Sequence, residues 1–299
     1  GKRFKVLLPS ASQVSSSDNL KKITEYAGKS LSGSYLSGIQ SHILNSDLKT
    51  QEGWNYIKDW CISRLEKNND FLHEPADIQV VKKEKDQIIV TGYQSYKIIN
   101  NIIFPLDKGG SGLWSSKKKY DIVKTALNQC CSKFRISSVL DLGCNLGMHS
   151  FTSSLEFRVP EVIGIDYNND YIDICSKITK LLEVKSNIKF VCKKFEQVEE
   201  IADVVILMGL IHHIYHRTES FGDLNDIVKK IRRSTRKCAI IEFPDETDQK
   251  AIKWTNMIGR VKKNDYKKSL FKKALNTYFS QVDIVGEING SRTTFICYI

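Results

Sequence analysis

The stretch Val139-Leu-Asp-Leu-Gly-Cys-Asn-Leu-Gly147 decides how this chain is read. Ser138, Val139 and Leu140 have the character of a buried parallel strand. Asp141 follows at its tip, and Gly143 and Gly147 frame a tight turn into a helix. Glycine permits positive φ and lets a ligand come close to the backbone. A strand, a glycine loop and a helix in that order aim the helix N-terminus, with its unpaired N–H groups, at whatever binds there.

Further along stands Ile163-Gly-Ile-Asp166, a second apolar strand ending in an acid. An acid at that tip is placed to accept hydrogen bonds from both hydroxyls of a ribose. The loop lacks a full G-x-G-x-x-G, because Asn145 stands where the middle glycine would be. A different nucleotide-binding Rossmann protein would share much of this pattern. With the acid before the first glycine and the acid after the second strand, residues 116–299 resemble class I S-adenosylmethionine-dependent methyltransferases. The resemblance implies S-adenosylmethionine as cofactor and S-adenosylhomocysteine as product. It places the cofactor on Asp141, Gly143, Asn145, Gly147, Asp166, Tyr167 and Met208, with Lys194 and Phe195 where the family holds the adenine. The acid usual at that last place is not obvious in the sequence. His149, just inside the helix, borders the expected methionine pocket.

With 299 residues the chain has room for one large domain or two modest ones. Hydrophobic residues make up 41% and charged residues 26%, which suits a globular protein with a packed core. No apolar run approaches the roughly 18 residues of a membrane span, and no signal sequence is visible. The first residues are Gly-Lys-Arg, so the sequence reads as a piece of a longer protein or as carrying a tag remnant. Eight cysteines are scattered without a C-x-x-C pair, which argues against structural zinc and fits a reducing, cytoplasmic compartment. The net charge is +11. That fits an acidic partner such as RNA, a phosphorylated glycan or a membrane surface, and fits equally a lysine-rich habit of the source, which is the reading placed first. Most of the excess is lysine, the less specific of the two basic residues for phosphate.

Two modules emerge along the chain. Residues 1–112 read as an N-terminal mixed α+β accessory module. Its helices are expected over 19–27 and within 41–67, and its strands over 77–81, 87–91 and 96–104. Residues 113–299 alternate strand and helix, which predicts a doubly wound, mostly parallel α/β sheet of seven strands. Strands are expected at 138–142, 161–166, 188–192, 203–208 and 238–243. They close on an antiparallel hairpin, 282–288 and 293–299, turned at Asn289-Gly-Ser-Arg.

Candidate chemistry gathers after the fourth strand, in Met208-Gly-Leu-Ile-His212-His213-Ile-Tyr215-His216-Arg217. Histidine is the natural base near neutral pH. His213 and His216 are the candidate catalytic residues, and His212 is expected to shape the loop. No carboxylate spacing supports a metal site. The run His213 to Arg217 is similar to polysaccharide-modifying methyltransferases and to the tRNA wobble-uridine carboxymethyl-transferring enzymes. That similarity places Tyr215 and Arg217 on the acceptor side. Trp114, in a glycine-rich hinge, and Glu242, ending the fifth strand, complete the candidate acceptor residues. Six lysines between 262 and 273 read as the wet face of an amphipathic helix, with a nucleic-acid patch as the other reading. The expected reaction is methyl transfer to a hydroxyl of a sugar or glycan. RNA is the alternative acceptor, and a non-catalytic cofactor-binding partner is the alternative of another class. Oligomeric state is left open.

Overall fold

In a computed structural model of the chain, the described residues are 80–84, 87–92, 94–106, 116–182, 187–217, 221, 223–248 and 265–299. All of them lie within the unit Ile78–Ile299. The helices expected over 19–27 and 41–67, Trp114, and Lys262 and Lys263 lie outside them.

Four short strands come first: β1 (Val80–Glu84), β2 (Gln87–Thr91), β3 (Tyr96–Ile99) and β4 (Ile102–Pro105), a meander in the order 1-2-3-4. The single strand expected over 96–104 is two strands, because Asn100 and Asn101 both take left-handed φ, 50° and 62°. Consecutive left-handed residues make the tight hairpin turn that matches strand twist, and Asn tolerates that geometry better than most residues.

The larger sheet is built from β5 (Ser138–Leu142), β6 (Glu161–Asp166), β7 (Ile188–Cys192), β8 (Ala202–Leu207), β9 (Thr235–Pro244), β10 (Gln281–Ile288) and β11 (Arg292–Tyr298). Its order is β10-β11-β9-β8-β5-β6-β7. The five strands β5 to β9 are parallel, and β11 runs antiparallel to both β9 and β10. The expected seven-stranded sheet with a terminal hairpin is therefore present. Every residue of β5 and β8 is buried, as central parallel strands covered on both faces require. Chain order reverses between β5 and β8, and a ligand crevice opens at such a switch point.

Helices α1 (Ser116–Lys133), α2 (Met148–Phe151, continued by a wide turn over Thr152–Glu156), α3 (Asn169–Leu181), α4 (Ile211–Arg217), α5 (Leu224–Ser234) and α6 (Lys268–Tyr278) fill the connections. Side-chain caps start two of them: Asn168 accepts from the Asp170 N–H, and Asp223 accepts from the Asp226 N–H. On α6, Phe271, Ala274 and Leu275 are buried, while Lys272 and Lys273 are exposed. In this helix the lysines form the wet face. Cys130 of α1 and Cys238 of β9 are joined as a disulfide. Their spacing in the sequence gives no sign of this pairing.

A carboxylate in the turn after α2 helps fasten the meander. Glu156 accepts from the Ile103 N–H (2.8 Å) and the Tyr120 hydroxyl (2.7 Å), and it pairs with Lys124 (2.7 Å). Burial, followed by the bond to Glu156, pushes the Tyr120 phenol up to about 12. Gly164 in β6 leaves no room for a side chain. A Cβ there would lie 2.6 Å from the Phe190 ring and 2.9 Å from Ser150 Oγ. Gly164→Ala should therefore destabilise the fold by about 1–3 kcal/mol, the usual cost of overpacking. Thermal melting checks this, and an unchanged midpoint would contradict the tight β6–β7 packing.

Candidate functional site

At the carboxyl ends of β5 and β6 the two acids stand side by side. Asp141 is 1% exposed and accepts a 2.6 Å hydrogen bond from the Ser150 hydroxyl. Burial raises its carboxyl to about 7; the Ser150 bond pulls the other way, and neighbouring Asp166 adds to the rise. Asp166 is also buried, and desolvation raises it to about 6 against the pull of backbone N–H groups. Its Oδ2 accepts from the Asn145 N–H and its Oδ1 from the Asn168 N–H, both at 2.9 Å.

The loop between the acids keeps its contour without the middle glycine. Gly143, Asn145 and Gly147 have φ of 72°, 50° and 79°. Asn145 occupies the left-handed region that Asn reaches at modest cost, and its side chain accepts from the Leu146 N–H (2.9 Å). A Cβ on Gly147 would press on Phe151, Cys175 and Phe190 at 3.0–3.1 Å. A Cβ on Gly143 would meet Leu210, which follows β8, at 3.1 Å. So the β8 end and the glycine loop close on each other, and half-buried Met208 sits at that junction.

Two residues outside every motif brace this loop from the meander. The Tyr96 hydroxyl donates to the Leu146 carbonyl (2.6 Å), and Gln94 accepts from the Met148 N–H (3.0 Å). No motif marks them, because both act on backbone groups about fifty residues distant in the chain.

At the adenine end, Tyr167 is exposed, and Phe195 is half-buried with its ring edge-on to Phe221 at 5.2 Å. Lys194 is exposed, and its N–H donates to Gln197 Oε1.

Beyond β8 the histidine run forms α4. His212 is 4% and His216 6% exposed, while His213 is only half-buried. The rings of His212 and His213 lie 4.0 Å apart. Burial, then the neighbouring charges of His213, Arg292, Lys119 and His216, holds His212 well below its ordinary value, so it is neutral. Tyr215 is 1% exposed and belongs to the hydrophobic core. This burial replaces the expected acceptor-lining role with packing. Beside it, Tyr266 packs on Tyr215, His216 and Phe243 at 5.1, 5.0 and 4.7 Å. The Arg217 backbone ends α4.

Glu242 also differs from expectation. It is fully buried, and its oxygens meet Lys119 (3.0 Å) and Arg292 (2.8 Å) rather than an open pocket. Lys119 and Arg292 hold its carboxyl below the usual range against the opposing effect of burial. Arg292 in turn grips Asp248 through Nε (2.9 Å) and Nη2 (3.1 Å). Sequence reasoning misses this four-charge cage, since its members come from α1, β9, the segment after β9, and β11. No group of metal-ligand residues occurs among the described residues.

The β10-β11-β9-β8-β5-β6-β7 sheet carries a glycine loop after β5 and an acid at the tip of β6, beside the switch point where a doubly wound sheet opens its ligand crevice. Residues 135–278, just under half of the chain, match the family model described as "Methyltransferase domain"; this part of the chain is similar to methyltransferase domains. None of the curated proteins matches the chain. Among solved structures, it is similar to WbdD bound to a kinase inhibitor, at 19% identity and a TM-score of 0.49, covering 63% of this chain and 42% of that one. It is also similar to magnesium protoporphyrin IX methyltransferase from Synechocystis PCC 6803 with S-adenosylhomocysteine bound. There the identity is 15% and the TM-score 0.45, covering 61% of this chain and 84% of that one. A third is mycolic acid cyclopropane synthase CmaA1, at 11% and 0.41, covering 56% and 64%. The chain spans less than half the length of WbdD.

The residues fit the cofactor. Two buried carboxyls with raised affinity for protons, and no cation paired to them among the described residues, suit a ligand that brings hydroxyl donors and positive charge.

Proposed function

We propose that this chain transfers a methyl group to a hydroxyl oxygen of a sugar or glycan, with a histidine of α4 taking the hydroxyl proton. S-adenosylmethionine would supply a methyl already activated on sulfonium sulfur. Asp166 would hold the ribose, Asp141 and the 143–147 loop the methionine end, and Phe195 the adenine face. The protein's task is then to orient the acceptor and remove one proton.

One observation carries this reading. A histidine-rich helix begins directly after β8, at the switch point, where Leu210 packs on the glycine loop. His213, the least buried of its three rings, and His216, beside Tyr266, are the bases of choice. Half-buried Tyr266, whose ring lies beside His216, supports a sugar, because an apolar sugar face stacks on rings. Against RNA, Lys268 is tied to Glu287 (3.0 Å), and Lys272 and Lys273 lie on an outer helix face.

Labelled cofactor incubated with glycan and RNA pools tests the acceptor. Label in the glycan pool is expected; label in RNA alone, with binding that collapses as salt rises, would replace this reading. His213→Ala or His216→Ala is expected to lower turnover about 10²–10⁴-fold, the range of general acid–base catalysis. Affinity for S-adenosylhomocysteine should hardly change. If neither variant slows turnover, the base lies elsewhere.

A further inference from the structure

We propose that Lys119 is a catalytic residue on the acceptor side, whose side-chain nitrogen hydrogen-bonds the acceptor oxygen and stabilises the negative charge that grows there. This rests on the hydroxyl-methylation reading above and deepens it.

Lys119 comes from the first turns of α1, yet its side chain is only one-tenth exposed, and Nζ reaches the β8 switch point. A Cβ on Gly209 would lie 3.2 Å from Nζ, 3.7 Å from Arg292 Nη1 and 3.8 Å from Glu242 Oε1. Gly209, at φ 68°, is the bend that carries the chain from β8 into the histidine helix. The cation therefore lies directly against the backbone that positions His212 and His213.

Two further groups show that this space is built for a polar ligand. The Nδ1 atoms of His149 and His212 are buried and have no hydrogen-bond partner. His149 is 2% exposed. Burial first, then the charge of Lys119, lowers its imidazole to about 3. Both rings are thus neutral and unspent around one cation. Buried polar atoms are normally satisfied, and those that are not call for a water, an ion or a ligand.

The cage explains how a lysine is kept there. Glu242 fixes Nζ, Arg292 fixes Glu242, and Asp248 fixes Arg292. Two cations and two carboxylates balance, so the resting site holds no excess charge. Negative charge then arises only during the reaction, and a fixed cation stabilises it without reorganising. In the step itself, the acceptor O–H proton passes to a histidine of α4, an oxygen lone pair forms the C–O bond, and the C–S bond breaks with its electrons going to sulfur. One proton leaves through the histidine, and sulfur ends uncharged. Glu242, Arg292 and Asp248 are positioning residues; Lys119 touches the reacting oxygen.

The test uses the protein loaded with S-adenosylhomocysteine and formate as a small stand-in for the oxyanion. Binding is followed at the Gly209 amide by ¹H–¹⁵N NMR. Formate should shift that amide in the wild type. Lys119→Met should weaken formate about tenfold or more, the effect of losing one charge-assisted hydrogen bond, while Lys119→Arg retains part of it. Lys117→Met, which removes an exposed lysine paired with Asp121, should change nothing. A purely structural lysine would alter melting without moving formate affinity. Should Lys119→Met fail to fold, the paired Lys119→Met/Glu242→Gln variant removes both charges together and is measured instead. Equal formate affinity with and without Lys119, or no shift at Gly209 in the wild type, would overturn the proposal. Failure of the wild type to bind S-adenosylhomocysteine is a separate outcome, and it would overturn the functional reading together with this one.

Discussion

Asp166→Ala is expected to weaken S-adenosylhomocysteine binding by about two orders of magnitude or more. The carboxylate would accept both ribose hydroxyls, and a hydrogen bond to a charged group is worth about 1.5–3 kcal/mol. The same variant also strips the Asn145 and Asn168 N–H groups of their partner, which loosens the loop itself. Calorimetry measures the loss directly. An unchanged dissociation constant would remove the acid from the ribose and with it the placement of the cofactor.

The pH dependence of this site has two signs. Asp166 must be ionised to accept from two hydroxyls, and burial has raised it to about 6. Affinity for S-adenosylhomocysteine should therefore fall as pH drops through 6, by about tenfold one unit below. Folding stability moves the other way. A carboxyl whose affinity for protons is higher in the folded chain favours folding at low pH, and that contribution is lost as pH rises from about 4 to 6. Comparing melting of the wild type with Asp166→Asn isolates this slope: the Asn variant should gain on the wild type across that window. Parallel curves would mean that the carboxyl is not buried as described.

The second large effect concerns Arg292, which is 2% exposed and bridges Glu242 and Asp248. Arg292→Met leaves two buried carboxylates with one cation. Breaking a buried ion pair by removing one partner costs about 3–5 kcal/mol. For a domain of this size each kcal/mol moves the midpoint by about 2–4 °C, so a fall of roughly 10 °C is expected. Arg292→Lys keeps the charge but not the fork that reaches two carboxylates, and should lie between. A midpoint within about 1 °C of wild type would mean that the cage is open to water.

What the sequence reveals and what it hides follows from the range of the interactions involved. The glycine loop and the two strand-tip acids are legible because each is a local pattern, an apolar strand ending in a polar residue that the backbone itself places. Asn145 shows the limit of that legibility. Its left-handed φ keeps the loop intact, yet a motif counted in glycines registers it as a defect. The splitting of 96–104 into two strands has a similar cause, since the two asparagines at its centre sit in an otherwise continuous apolar run.

The sequence alone determined the alternating strands and helices, the closing hairpin, the loop and the acids, because strand and helix periodicity and strand-tip chemistry are short-range properties. Only the tertiary structure decided that Glu242 lies closed between Lys119 and Arg292, that Tyr215 belongs to the core, and that Tyr96 and Gln94 brace the loop. These depend on pairs of residues drawn together from separate elements by the order of strands in the sheet. A buried charge finds its partner through that order, which no local pattern of residues encodes.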